Sequence, residues 1–595
     1  MSLKRFFPIL AWGAGYSGRA FGSDLVAAAT VTMLLIPQAL AYSLLVGVPP
    51  QAGLYASMAP LFLYAIFGTS AALSNGPIVV VCVMTGSAAA EVAPPGTPEH
   101  LGAVVALTLV TGILLVAMGV LRLGFLVSFI SHPVVSALII ATAVLVAATQ
   151  AASLLGIPAK GANLLEMMTS IVSNAGKIHP RTSAVGLASL AFLLWARQGL
   201  RPLLLRLRVG GHAADLLAKT GPAVVIVAAA ATVWVLGLDK HGVGILGTVP
   251  RGLPVPVLPP LDIGLWKKIL LPAFLVGIVG YVQSITVALT LAARRRERVD
   301  PDQELIALGA ADIASAVSGG YPVAGAISRS AVAFEAGVRT PAAGAYTAAG
   351  IGLVVLFLTP LLFFLPKAAL AAVIIASVLS MPDLGALKRA HACSRADSAA
   401  MAATILVTWV VGIEQGLLAG VALSIAFHLY ETSRPRVAVV GQIPGTAHFR
   451  DVEDFAAVTD PEILSLRVDE SFYFPNARFL ENLVNDTVAA NPAVRHVILE
   501  CFAMNQVDAS AVEALEEINR RLAAGGIKFH LSEVKGPVMD RLSRTGFLEN
   551  LTGGVHLTHY QAVLSINPDL ARGTQEDRKA PPVIRKGNGP GDLPP

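Results

Sequence analysis

The chain of 595 residues is 55% hydrophobic and only 14% charged, with a mean hydropathy of +0.68. These values place it among polytopic membrane proteins rather than soluble enzymes. The net charge of +5 does not point to nucleic acid, because the basic residues are set between apolar spans, and Cys82, Cys393 and Cys501 lie too far apart for a disulfide framework or a zinc site. Lys4 and Arg5 open the chain, but the first long apolar run begins near Leu25 and further spans follow. It reads as a retained span rather than a cleaved leader, with 1–22 as a cytoplasmic N-terminal segment.

A helical span needs ~20 apolar residues at ~1.5 Å each. The first candidate, 23–46, carries Pro37, Gln38, Tyr42 and Ser43. Gln38 and Tyr42 are four residues apart and point the same way on a helix. A glutamine at mid-span either joins helices or touches a ligand. Pro49 to Tyr55 opens the second span. Ser74-Asn75-Gly76-Pro77 then interrupts the third, just before the apolar run Ile78 to Ala90. A proline near a first helical turn fits its N-terminal preference. Spans four to seven are expected near 101–121, 125–150, 183–200 and 219–237, with extracellular connectors at 156–180 and 238–266.

Span eight is expected at 268–293, ending in Arg294-Arg295-Arg296-Glu297-Arg298, and span nine at 303–318. The tenth is interrupted at 319–325 by Gly319-Gly320-Tyr321-Pro322-Val323-Ala324-Gly325. The helical run after it, Ser330 to Ala336, is too short to cross a bilayer alone. Glycine and proline break helices, and broken backbone at membrane depth survives only where protein or a water-filled cavity covers it. The stretch therefore reads as a broken helix whose free N-terminus faces an anion, with Arg329 beside it. Arg329 has a structural reading too, as a partner of helix carbonyls or of Glu335. Ser328 and Ser330 are read equally as ligand donors and as helix caps.

Spans eleven to fourteen are expected near 343–365, 367–381, 398–412 and 414–430, giving a transmembrane domain over 23–433. Basic clusters at Lys4/Arg5, Arg122, Arg197 to Arg208, Arg294 to Arg298, Lys388 to Arg395 and Arg434/Arg436 fall before the first span or after an even-numbered one. Both termini are then cytoplasmic and fourteen spans satisfy the charge pattern. The two interruptions fall in the third and tenth spans, seven apart, as 7+7 inverted repeats require. Paired broken helices in inverted halves point to a substrate site near the midplane.

From 434 to 565 the pattern becomes that of a small α/β domain. Ile463 to Val468 and Val497 to Cys501 read as strands, alternating with helices near 476–490, 510–523 and 536–545. The middle helix is expected to pair Glu516 with Arg520 and Glu517 with Arg521. Ser510 begins a Ser-x-x-Glu capping box with Glu513. The tail, 566–595, is polar and rich in Pro and Gly and is expected to be disordered.

Pro37-Gln38-Ala39-Leu40-Ala41-Tyr42, Val48-Pro49-Pro50 with Gly53-Leu54-Tyr55, Gly68-Thr69-Ser70 and Gly76-Pro77 resemble signature blocks of the sulfate permease (SulP) anion transporters. Tyr321-Pro322-Val323 followed by Ser328-Arg329-Ser330 is similar to that family's tenth span, and the resemblance covers roughly residues 20–565. The segment after 437 resembles a STAS domain, and Asp508-Ala509-Ser510 resembles the phosphorylatable loop of the related anti-sigma-factor antagonists, which makes Ser510 a candidate regulatory residue. The resemblance implies a 7+7 arrangement in which a core unit (spans one to four and eight to eleven) moves past a gate unit. It implies a pocket lined by Gln38, Tyr42, Asn75, Ala326 and Ser328, and Gly76 and Arg329 are taken with them as substrate-binding residues. It also implies a homodimer and a cytoplasmic domain able to take a regulator.

One stretch departs from that pattern. Many bacterial members resemble Gly-Phe-Val-Glu-Ser in span eight, where this chain has Gly280-Tyr281-Val282-Gln283-Ser284. Gln283 cannot take up a proton as a carboxylate can. Gln283 and Thr286 are candidate contacts for substrate or sodium. Asp312, in span nine, is a candidate substitute acid, although an interhelical hydrogen-bonding role fits it better. The expectation is an alternating-access, elevator-like secondary transporter of small anions in a bacterial inner membrane, surrounded by lipid. Sulfate comes first, bicarbonate and dicarboxylates remain open, and coupling is by anion exchange or sodium. No cofactor is expected beyond sodium as a coupling ion, and no nucleic-acid partner. The rivals are a nucleobase permease, a passive anion channel and a non-transporting sensor signalling through the C-terminal domain. The sequence shows no nucleophile–base constellation, P-loop or metal motif, which argues against an enzyme.

Overall fold

Ser17 caps the first long helix, accepting from the Ala20 amide, and Gly47 ends it in the left-handed conformation that glycine adopts freely. That helix, α1 (Gly18–Val46), keeps Pro37 in its interior. The computed structural model describes residues 6–576 apart from 126–130, 160, 162, 209, 212, 213, 215–217, 219, 261, 380 and 381. The chain divides into two compact units between Ser424 and Ile425.

The first unit is helical. After α1 come α2 (Pro50–Tyr55), α3 (Ala59–Phe67), α4 (Val79–Ala90), α5 (Pro98–Val120), α6 (His132–Leu155), α7 (Leu164–Ser173), α8 (Pro180–Arg206) and α9 (Gly221–Leu236). The second half supplies α10 (Ile263–Arg295), α11 (Pro301–Val317), α12 (Ile327–Glu335), α13 (Ala342–Leu353), α14 (Lys367–Val378), α15 (Leu384–Cys393), α16 (Arg395–Val410) and α17 (Ile413–Ser433). Among the described residues, seven helices are long and apolar enough to cross a membrane, and shorter apolar helices such as α4, α9 and α14 lie among them. The chain is an integral membrane protein.

Several elements differ from expectation. The second span splits into α2 and α3, and the eleventh continues beyond Leu353 as a wide turn, Val354–Leu358, and a tight one, Thr359–Leu362. The tenth resumes at Ile327 rather than at Ser330, so Ser328 and Arg329 lie in its first turn. Besides a single helical turn at Ile9–Trp12, two helices are additional among the described residues of the first unit, α7 within the 156–180 connector and α15. Asn163 and Asp383 cap them, accepting from Glu166 and Gly385 amides; both helices are too short for span-length patterning to reveal.

The second unit holds a six-stranded sheet built from β3 (Val437–Gln442), β4 (Phe449–Asp451), β5 (Ile463–Val468), β6 (His496–Glu500), β7 (Lys528–Ser532) and β8 (Val555–His556), counting two short strands of the first unit as β1 and β2. The order is β4-β3-β5-β6-β7-β8; β5 to β8 are parallel and β3 is antiparallel to both neighbours. On one face Leu464, Leu466, Val497, Leu499 and Phe529 meet Leu480, Leu515 and Ile518 of α18 (Ala477–Ala490) and α19 (Ala509–Ala524). On the other face Ile463 and Ile498 meet Ala562, Val563 and Ala571 of α21 (His559–Ile566) and α22 (Pro568–Glu576), α20 (Gly536–Arg544) preceding them in the chain. Sequence patterning found only β5 and β6; β4 and β8 are too short to stand out and β7 carries too many polar residues, while β3, six residues long and mostly apolar, was missed.

Three expectations are corrected here. Asp508, not Ser510, caps α19: its carboxylate accepts from the Ala511 amide at 2.9 Å and from Phe474 at 2.9 Å, and Ser510 is exposed within the first turn. Glu517 takes both Arg520 and Arg521, rather than Glu516 pairing with Arg520, while Arg521 also reaches Glu481 at 2.9 Å. Finally, Pro568–Glu576 is a helix inside the stretch 566–595 that was expected to be disordered. Its Ala571 is buried against the sheet and accepts from Gln442, so apolar burial outweighs the polar composition; residues 577–595 lie outside those described.

Candidate functional site

The two interruptions are joined. Asn75–Gly76 (β1) pairs antiparallel with Ala324–Gly325 (β2), Asn75 opposite Gly325 and Gly76 opposite Ala324. Buried backbone without helical partners costs several kcal/mol per group in a bilayer, roughly, unless other groups satisfy it. Side chains here do so. Ser330 Oγ accepts from the Ser74 amide at 2.9 Å and Ser284 Oγ from Gly325 at 2.7 Å. Asp312 Oδ1 accepts from Val323 at 2.8 Å, and Ser315 donates to the Tyr321 carbonyl at 2.6 Å. Tyr321 in turn donates to the Ala39 carbonyl of α1, where Gly53 of α2 also packs so closely that an added Cβ would lie 2.0 Å from Ala39 O.

From this ladder α4 and α12 start in the two directions that antiparallel strands impose. Their first residues, Pro77 to Val79 and Ala326 to Arg329, line one cavity of about 920 Å³. Helix N-termini leave amide donors unpaired and together carry roughly half a positive charge each. The cavity therefore receives two donor-rich ends before any charged side chain is considered.

Arg329 adds the full charge. It is 1% exposed, and its Nη1 donates to Gln38 Oε1 and to the Pro77 carbonyl, both at 2.9 Å. Its Nε and Nη2 are buried and have no protein partner. An unsatisfied buried donor costs about 1–3 kcal/mol, and more on a charged group. Gly76 has φ of +153°, and a Cβ there would lie 3.1 Å from Arg329 Nη2. Glycine thus serves both the backbone turn and the close approach of the guanidinium.

Of the expected residues, Gln38, Tyr42, Ala326, Ser328, Arg329 and Gln283 line the cavity, and Gly76 bounds it through its contact with Arg329. Asn75 is fully buried in β1 but is not among the lining residues; both its side-chain amide atoms lack partners. Thr286 is turned away: its hydroxyl donates to the Val282 carbonyl of its own helix at 2.7 Å. Asp312 lies behind the tenth-span interruption, beside a small separate void lined by Tyr281 and Val323. Its bond is to the Val323 amide, in the non-helical break, so it ties α11 to the interruption rather than to another helix.

Sequence reasoning missed Arg197, Arg201, Glu335 and Ser377 as lining residues. Arg197 and Arg201 were legible only as markers of a cytoplasmic loop; Arg197 donates to the Ala376 carbonyl at 2.6 Å, in the last turn of α14.

Fold and site define a polytopic helical membrane protein in which paired helix breaks present one buried cation to a shared cavity, with an α/β domain appended. Residues 21–404 match the Sulfate permease family and residues 454–562 match the STAS domain family. The chain is 31% identical to "Sulfate transporter 4.1, chloroplastic" of Arabidopsis thaliana over 92% of its own length and 80% of that protein. It is also 31% identical to a "Probable sulfate transporter" of Mycobacterium tuberculosis, over 90% and 93%. The murine Solute Carrier 26 family member A9 anion transporter in the inward-facing state shares the fold, with a TM-score of 0.85 at 22% identity over 96% and 94% of the two chains. The transmembrane domain of a cyanobacterial bicarbonate transporter, BicA, aligns with a TM-score of 0.59 at 21% identity, covering 68% of this chain and 98% of that domain. The chain belongs to the sulfate permease family.

Proposed function

We propose that this protein is a secondary transporter of small inorganic anions, sulfate foremost, working by alternating access. The observation that carries the reading is the pair of unpartnered nitrogens on Arg329, buried at a cavity into which two helix N-termini open. Water can satisfy a donor, but only an anion also neutralises the charge, and burial makes that neutralisation worth more. Gln38 fixes the guanidinium; Ser328, Tyr42 and Gln283 offer further polar contacts around the ion. The names of the Arabidopsis and mycobacterial relatives support sulfate over other anions.

Fourteen spans in two inverted sevens account for the basic clusters and for the antiparallel ladder between the third and tenth. In this reading both termini are cytoplasmic, in a bacterial plasma membrane. The interrupted spans belong to the moving core, and α8, α9 and α14 supply the opposite wall of the cavity. Gln283, at the cavity wall in place of a carboxylate, cannot take up and release a proton as an acid does, so the cycle runs as anion exchange or with sodium rather than as proton symport.

The test is flux of labelled sulfate, bicarbonate and succinate in proteoliposomes under separate proton and sodium gradients. Saturable sulfate uptake stimulated by internal anion or by sodium is expected. Uptake that follows an imposed proton gradient with neither requirement would remove the coupling assignment, and no saturable flux of any anion would remove transport itself.

A further inference from the structure

In the second unit, one carboxylate is stranded at the centre of the sheet. Glu500, at the C-terminal end of β6, stands in register between Arg467 of β5 and Ser532 of β7. Side chains in register on parallel strands share a face and lie about 5 Å apart, so both neighbours are natural partners. Neither makes a hydrogen bond to Glu500 Oε2. Arg467 is held by Asp469, Nε to Oδ1 at 2.6 Å and Nη2 to Oδ2 at 3.1 Å, and Ser532 is bonded to His559 at 2.9 Å. Glu500 Oε2 is left buried with no hydrogen-bond partner.

The same arginine clamp touches the connection to α17. The Asp469 amide donates to the Arg436 carbonyl at 3.0 Å, and Arg436 itself reaches Asp451 at 2.7 Å and Asp454 at 3.1 Å. Nearby, Asn476 Nδ2 donates to the Thr432 carbonyl at 3.2 Å, in the last turn of α17, and to Ser471 at 2.9 Å. Asp469 is thus bonded both to Arg467 by its side chain and to the linker by its backbone. We propose that Glu500 is a proton-binding regulatory site: on releasing its proton to solvent it draws Arg467 away from Asp469, and the linker at Arg436 loosens.

Burial raises the Glu500 carboxyl from the ordinary 4.5 to about 7, with Arg467 and Arg450 opposing the rise and Glu533 and Asp469 adding to it. Other titratable groups around it are poorly placed to answer in that range. Burial lowers His559 to about 4 and lowers His556 from its ordinary value. Its bond to Asp469 holds Arg467 protonated. The sign follows. A carboxyl that binds its proton more tightly when folded contributes stability below the ordinary carboxylate range and loses it as pH rises through about 7.

The experiment uses the full chain in detergent. The native-minus-E500Q double difference of infrared spectra taken between about pH 5.5 and 8.5 should show a buried carboxyl band lost with a midpoint near neutrality. D469N, which frees Arg467 for Glu500, should lower that midpoint by about one unit or more, since an adjacent cation favours the charged form. Trypsin cleavage after Arg436 should accelerate severalfold with rising pH in the native protein but not in E500Q beyond the enzyme's own profile. An empty double difference, a midpoint that D469N leaves in place, or equal acceleration of cleavage in both proteins would overturn the proposal. None of these readouts depends on transport.

Discussion

Two ionisable side chains buried in the membrane unit sit in opposite circumstances. Glu304, in the first turn of α11, accepts from Tyr64 at 2.8 Å, from the Thr69 amide and hydroxyl at 2.8 and 2.6 Å, and from the Ser70 amide at 3.3 Å. Tyr64 belongs to α3, and the other three bonds go to the turn at Thr69 and Ser70 that follows it and leads to the Asn75–Gly76 break. Arg329, after the tenth-span interruption, makes two bonds through one nitrogen and leaves two others without partners. A surrounded carboxylate is a clamp, whereas a half-surrounded guanidinium is a socket. Asp24 belongs with Glu304, since it gathers the Arg339 and Thr340 amides and the Thr340 hydroxyl between 2.6 and 3.2 Å. Burial alone does not separate the two; the hydrogen-bonding capacity left unfilled on Arg329 does.

Substitutions can break or sharpen that contrast. Glu304→Ala should have the largest effect, because it strands four donors at once: a loss of about 3–5 kcal/mol in stability, read as a lower thermal midpoint and poor yield. If Glu304→Ala instead abolished transport at full stability, the clamp assignment would be wrong. Arg329→Gln should do the reverse, lowering anion uptake by ~100-fold, about 2.7 kcal/mol, while the thermal midpoint hardly moves. Ser284→Ala falls between the two. It removes the acceptor for the Gly325 amide and should cost about 1–3 kcal/mol, with a weakened apparent affinity for the anion as the β1–β2 pairing loosens. Thr286→Val should change neither stability nor uptake by more than about twofold, because the hydroxyl serves only its own helix and surface substitutions of that kind are near neutral; a larger change in sodium dependence would return Thr286 to the site.

The breaks themselves were legible, because glycine and proline inside apolar runs contradict the helix around them. So was Arg329, as a charge without an aqueous excuse, and so were the i, i+4 residues Gln38 and Tyr42. What joins these pieces was not. The pairing of Asn75 with Gly325 depends on how the halves pack, and no local pattern encodes it. Ser284 and Asp312 illustrate the same limit: each is visible as a polar residue in an apolar helix, yet its partner is a backbone amide in another element. Asn75 was expected at the cavity wall and instead lies within the ladder, because residues in a strand alternate faces and local reading could not say which face the cavity takes. In the second unit, Asp508 outcompeted Ser510 as the cap because a carboxylate is the stronger acceptor and lies one residue before the first helical position.

The ladder between the third and tenth spans also sets a timetable. Ser74 and Ser330 are 256 residues apart, and chains are synthesised at about 5–20 residues per second, so the first break waits roughly 10–50 s for its mate. During that interval its exposed peptide groups have neither lipid nor protein suited to them. Maturation in the cell is thus expected to lean on insertion machinery that shelters unfinished spans, and truncated products ending before Ser330 should be removed by membrane proteases rather than accumulate.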